Sequence, residues 1–237
     1  MAANNQTTKR SEKQAEDNLG QIEGALSKSE LFLENNKKTI SIVLGIIIVI
    51  VLGIFAYRRL YVQPREEKAQ LEIYKAQKDF DNGNFLKALN GDTVSSLGFL
   101  GIQDNFKGTK SAKISNYYIG ICNLQLGNYQ EAIDYLKKFK MKDYFVYGLS
   151  RAAIGDAYIE LGDMKSAISY YKEACNYNTN EVLTPEMLKK LATAYELNGD
   201  IDKAIESYNK IVDDYPSSVQ KNDAKKNIGR LQAGKLQ

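Results

Sequence analysis

Apolar and polar positions are distributed very unevenly along this chain. From Thr39 to Tyr57 it reads TISIVLGIIIVIVLGIFAY, without a charge. These 19 residues (57 − 39 + 1) would span about 28 Å as a helix, close to a bilayer hydrocarbon core of roughly 30 Å. Lys37 and Lys38 precede the run, and Arg58 and Arg59 follow it, with Tyr57 and Tyr61 nearby. Basic side chains snorkel and tyrosines favour the interface, so both ends read as anchored. We expect a transmembrane helix over 39–59. A cleavable signal would have a shorter apolar core and a small-x-small site, and neither is seen here. Gly45 and Gly53 are eight apart, which is not a GxxxG pairing motif.

The flanking regions are patterned differently. Residues 1–38 are polar, rich in Asn, Gln, Lys and Glu, and short of the apolar side chains a core needs. Within them, Leu19, Ile22, Leu26 and Leu33 recur at helical spacing, which predicts a short helix, either a marginal one or one used for partner docking. Beyond the apolar run, residues 60–111 carry a helical pattern containing Pro64, followed by Ala76, Gly83-Asn84-Phe85 and Ala88. The stretch from Gly91 to Thr109 holds Leu97, Phe99, Leu100, Ile102 and Phe106, which predicts an inserted helix with an apolar face.

Residues 112–216 repeat themselves. One segment has Gly120, Gly127-Asn128, Ala132 and Leu136. The next has Gly155, Gly162-Asp163, Ala167 and Tyr171. The third has Ala192, Gly199-Asp200, Ala204 and Tyr208. The second alanines are 167 − 132 = 35 and 204 − 167 = 37 residues apart. A period near 34, with a small residue, a turn glycine and an alanine in register, resembles the tetratricopeptide repeat. That resemblance implies an all-α solenoid of paired helices. The turn glycine ends each first helix in the left-handed region. Asn128, Asp163 or Asp200 then caps the next helix. Residues 60–111 read as a degenerate first repeat plus the insert, and residues 217–237 as a terminal capping helix and tail.

Charge and composition narrow the function classes. The chain has 32 basic and 29 acidic residues, and the two signs are interleaved, unlike the basic stripe of a nucleic-acid binder. It has no histidine, so the commonest general base and metal ligand are missing. Cys122 and Cys175 sit among apolar neighbours and read as core residues. Gly108-Thr109-Lys110-Ser111 lacks the contiguous Gly-Lys-Ser/Thr of a phosphate loop. Asp79-x-Asp81-x-Gly83 lacks the closing Glu of a calcium loop. We therefore expect no enzyme, no cofactor, no metal, no small-molecule substrate and no nucleic-acid partner.

A tetratricopeptide array binds proteins on the face lined by its first helices. The family pattern places Tyr117, Ile121 and Gln125, then Ala152, Asp156 and Glu160, then Lys189, Thr193 and Glu196 on that face. Ile121 and Ala152 fit a packing role equally well. Lys189 alone is basic in this set, so a clamp for a C-terminal carboxylate is disfavoured.

A short polar N-terminus, one membrane helix and then repeats together resemble the bacterial YfgM-like family of ancillary Sec translocon subunits. The resemblance implies inner-membrane anchoring with the repeats in the periplasm. It also implies partnership with translocon subunits, a membrane-anchored periplasmic chaperone and nascent secreted chains. The 38-residue N-terminal extension is long for that family. Two alternatives stay open: a scaffold for another envelope complex, and a cytoplasm-facing adaptor. Lys28, Lys37 and Lys38 before the run nearly balance Arg58, Arg59, Arg65 and Lys68 after it, leaning slightly to a cytoplasmic C-terminal side.

Overall fold

In the computed structural model the described residues are 35–92, 96–177 and 179–235. Among them every regular element is a helix. The helix expected over Leu19–Leu33 lies outside the described residues. Two compact units are present, Met1–Tyr61 and Val62–Gln237.

The described part of the first unit is helical. We call residues 35–57 α1, and a π-helical turn, Arg58–Val62, follows it. From Ile42 to Tyr57 the large apolar side chains of α1 all face outward, with exposures between 50 % at Val43 and 69 % at Val49. A core helix of a soluble protein would bury one face; this one buries none. It is long and apolar enough to cross a membrane.

The second unit is a succession of helix pairs in sequence order. It comprises α2 (Gln63–Asp81), α3 (Phe85–Asn90), α4 (Gly98–Asn105), α5 (Lys110–Gln125), α6 (Tyr129–Lys138), α7 (Val146–Glu160), α8 (Met164–Asn176), α9 (Leu183–Leu197), α10 (Ile201–Asp214) and α11 (Lys221–Gly234). Each packs chiefly on its sequence neighbours, and α7 touches both α5 and α9. That is the contact pattern of a solenoid. Pro64 sits in the first turn of α2, directly after the π-helical turn, the kind of local adjustment that accommodates a proline in a helix. Pro216 follows the end of α10.

The turn between the helices of each pair is the same four times. Gly83, Gly127, Gly162 and Gly199 all have φ near +80°, from 75° to 81°. In each, the glycine N–H and the next N–H donate back to carbonyls of the preceding helix. Gly162 donates to Ile159 at 3.0 Å and Asp163 to Tyr158 at 2.9 Å. This satisfies two orphan carbonyls, and only glycine takes that backbone without strain. The capping expectation holds at one position. Asp163 accepts from the Ser166 N–H at 3.0 Å, whereas Asn128 and Asp200 make no such bond. Their side chains are engaged by Asn123 and Asn198 instead.

Ala88, Ala132, Ala167 and Ala204 are all fully buried. A second column explains the helix spacing. Gly120 faces Leu136, and Gly155 faces the Tyr171 ring. The separations 136 − 120, 171 − 155 and 208 − 192 are all 16. A Cβ on Gly155 would come within 2.7 Å of the ring, so the small residue sets how closely the pair can approach.

The insert forms α4, with Phe99 and Ile102 fully buried. Its core joins Ala76, Ala88, Leu89, Ile119 and Cys122. Cys122 and Cys175 are both buried free thiols, and burial pushes both up to about 12.

Candidate protein-binding surface

The first helices α5, α7 and α9 neighbour one another, so they present one shared face. The nine residues expected there divide between the core, the open surface, a cleft and its surroundings. Tyr117 and Ile121 are half-buried and pack into the core beside Ile133 and Leu136. Tyr117 lies 5.8 Å from the Phe139 ring, and burial pushes its phenol up to about 12. Ala152 is 3 % exposed and belongs to the core. Its methyl group is covered by the close helix crossing, the packing role that its spacing allowed equally. Gln125 and Glu160 are exposed, and Glu160 accepts from Tyr129 at 3.2 Å.

Asp156, Lys189 and Thr193 are brought together. They line a cleft of about 230 Å³ between α7 and α9, with Glu186, Lys190 and Leu197. Asp156 accepts from the Tyr171 hydroxyl at 2.6 Å and from Lys190 Nζ at 2.7 Å. Burial raises the Tyr171 phenol, and the Asp156 carboxylate beside it raises it further. Lys189 donates to Asp223 at 2.9 Å and to Gln220 at 3.2 Å. The Thr193 hydroxyl donates to the Lys189 carbonyl at 3.1 Å. Glu196 lies outside this cleft and accepts from Tyr208 at 2.8 Å and Arg230 at 2.5 Å.

These bonds form a ladder. Asp156–Lys190, Glu186–Gln220, Lys189–Asp223 and Glu196–Arg230 are each 34 residues apart. Each links one first helix to the next, with α11 and its leading Gln220 in the role of the next first helix. The charges of this face are thus largely paired within the array. What stays open is a shallow, mixed surface with apolar Ile159, Ala194 and Leu197 in its lining. Such a surface suits a polypeptide, which offers amides and side chains of both kinds, better than a compact charged ligand. Lys190, Glu186 and Leu197 do not figure among the residues expected from sequence, although the 34-residue offset from Asp156 to Lys190 is visible there.

A larger cleft of about 520 Å³ borders α8, α9 and α10. Tyr195 lies in its wall, with Lys172 and Lys203 each 5.6 Å from the ring centroid. Its flank carries Lys210, which pairs with Glu206 at 3.0 Å.

The Gly108–Ser111 segment resembling a phosphate loop has a structural use. Thr109 caps α5 by accepting from the Ala112 N–H at 3.0 Å. The Glu66 carboxylate then accepts from the Lys110 N–H at 2.6 Å and the Ser111 hydroxyl at 2.7 Å. The anion at this helix N-terminus is the chain's own carboxylate. Asp79 is likewise engaged, 3.4 Å from Lys87.

Comparison with known proteins agrees with this geometry. Tetratricopeptide-repeat family models match residues 115–140 and 152–219. The chain thus carries tetratricopeptide repeats over these residues. The tetratricopeptide array is similar in fold to a Podosopora anserina chain described as a kinesin light chain with nearly identical TPR-like repeats. The TM-score is 0.58 at 15 % identity, covering 73 % of this chain and 89 % of that one. Among curated proteins, it resembles photosystem I assembly protein Ycf3 of Prochlorococcus marinus subsp. pastoris. The two are 35 % identical over 70 residues, or 30 % of this chain and 39 % of that protein. Ycf3 of Prochlorococcus marinus strain MIT 9211 is 40 % identical over 55 residues, or 23 % and 32 % of the two chains. The match thus spans about two fifths or less of the curated relatives' length.

Proposed function

We propose that this tetratricopeptide-repeat protein is a membrane-anchored adaptor, an accessory subunit of the Sec translocon that links it to periplasmic chaperones and emerging secreted chains. The observation that carries the anchored part is α1, uncharged from Thr39 to Tyr57, with every large apolar side chain from Ile42 onward facing outward. A helix of this kind is stable only where lipid or protein covers it. The α7–α9 cleft supports polypeptide binding in an extended or turn conformation along the first helices. The translocon part rests on the architecture: polar N-terminus, one span, then repeats. On this reading the repeats lie in the periplasm of a bacterial inner-membrane protein.

The test is protease accessibility in intact spheroplasts, followed with a C-terminal epitope. Degradation of the repeats while a cytoplasmic control survives supports the periplasmic placement, and crosslinking to translocon subunits is then the next step. Protection until the membrane is permeabilised overturns it in favour of a cytoplasm-facing adaptor.

The likeness to Ycf3 favours a second reading. Those relatives are photosystem I assembly proteins, so an assembly factor for a membrane complex fits the same anchored array. Co-purification in mild detergent separates the two: translocon subunits for the first, subunits of an unfinished membrane complex for the second.

A further inference from the structure

The loop joining α6 to α7 differs from the other loops between repeats. From Lys137 it reads KKFKMKDYFVYG. Lys137, Lys138, Lys140 and Lys142 are all exposed. Tyr144 and Phe145, just beyond them, are 51 % and 49 % exposed. The equivalent loops before α9 and α11 also expose one apolar residue each, Val182 and Val219. Neither of those loops, at 177–182 and 215–220, contains a lysine.

The loop is held in shape. Asp143 accepts from the N–H groups of Phe145 and Val146, both at 3.0 Å. Its only acid is thereby spent on the start of α7, and those two bonds hold its carboxyl below the usual range. Tyr144 and Phe145 meet edge to face at 4.8 Å. Phe139 is fully buried and fastens the other end. Lys137 and Lys138 lie against tyrosines, at 3.0 Å from the Tyr158 hydroxyl and 4.2 Å from the Tyr135 ring centroid. Lys140 and Lys142 have no ionic partner among the described residues.

We propose that this loop, through Lys140, Lys142, Tyr144 and Phe145, is a docking site for the surface of an anionic lipid bilayer. The argument is charge complementarity joined to an aromatic pair. Anionic headgroups attract the unpaired ammonium groups, and aromatic rings settle at the interface with one edge wet. The inference builds on the membrane-anchored reading, because a chain tethered by one helix keeps its repeats at high local concentration near lipid. Docking would fix which face of the array is offered to partners.

The chain has no tryptophan, so Phe145→Trp in the full chain places a single reporter at the loop. The protein is reconstituted in vesicles of mixed phosphatidylcholine and phosphatidylglycerol, with lipids brominated in the acyl chain as quenchers. Circular dichroism checks that each variant keeps its helices. We expect blue-shifted, quenched emission in the mixed vesicles, little quenching in phosphatidylcholine alone, and reversal by high salt. A lysine near an anionic surface is worth about fivefold in partitioning, so Lys140→Glu with Lys142→Glu lowers the docked-to-free ratio by about 25-fold or more. A separate Val182→Trp reporter stays unquenched.

A chain that floats with vesicles but keeps the loop's indole exposed to water overturns docking and leaves the anchor standing. Failure to float overturns both. Equal quenching with neutral lipid, or in the glutamate variant, overturns recognition of anionic headgroups. A response to poly-glutamate but not to vesicles assigns the patch to an acidic protein instead.

Discussion

The first helix pair and the three that follow are held together by different means. Around α2, α3 and α4 the interface is aromatic. Phe99 stacks on Tyr118 at 4.7 Å, and Phe80 meets Phe85 and Tyr118 edge to face at 5.4 Å. Polar clamps from distant residues close its edges. Gln77 donates to the Tyr118 hydroxyl at 2.7 Å, and Arg65 donates to the Asn105 carbonyl at 2.6 Å. From α5 to α10 small residues pack under large ones, and the 34-residue ladder joins α7 to α9 and α9 to α11. The comparison shows two solutions to one problem. Where the repeat is regular, close helix approach buries area directly. Where a 44-residue step from Ala88 to Ala132 breaks the period, an extra helix must fill the gap.

The largest test of this contrast is Phe99→Ala. It removes the centre of the aromatic cluster, and we expect a loss of about 3–5 kcal/mol. Urea denaturation followed by circular dichroism measures it, and amide exchange in α2–α4 should rise before that in α9–α10. A loss below about 1 kcal/mol would show that α4 is an ornament rather than a wedge.

Next is Gly155→Ala. Its new Cβ meets three atoms of the Tyr171 ring between 2.7 and 2.9 Å, and the ring is fastened by Asp156. Overpacking of about 1–3 kcal/mol should outweigh the gain in helix propensity. Gly148→Ala is the control, because its Cβ meets nothing nearer than 3.9 Å; it should raise the melting temperature.

Tyr171→Phe keeps the packing and deletes one hydrogen bond to Asp156. We expect about 0.5–1.5 kcal/mol, because Lys190 still satisfies the carboxylate. A larger loss, read from thermal unfolding, would mean that the cleft depends on the hydroxyl.

The smallest effect belongs to the rim. Arg230→Ala should lower the melting temperature only slightly and become silent at high salt. Acid offers a second reading of the same rim. The Lys189 ammonium holds the Asp223 carboxyl below its ordinary value. Its contribution is therefore complete above the unfolded carboxylate pKa and is lost as pH falls through the lowered folded value. Melting curves taken from neutral to acidic pH should show Asp223→Asn equal to the unmodified chain at the acidic end and weaker near neutrality.

Much of this architecture is legible in residue order. The turn glycines and buried alanines recur at a period that only stacked helix pairs explain. The apolar face of Leu97–Phe106 announces α4. The candidate surface is less legible. Ala152 shares its column spacing with exposed neighbours, yet the helix crossing buries it. Tyr117 is drawn inward by Phe139, which lies 22 residues on (139 − 117), and no local pattern encodes that pairing.

Periodicity, turn chemistry and the uncharged run are local properties, and for that reason the order of residues settled the helices, the solenoid and the helix long enough to span a membrane. Three features awaited the packed chain: the ladder, the Glu66 carboxylate at the start of α5 and the cleft between α7 and α9. Each depends on which side chains, 34 to 45 residues apart, come within hydrogen-bond reach. That is decided by helix crossing geometry, where a shift of a few ångströms determines whether a charge is paired within the fold or left for a partner.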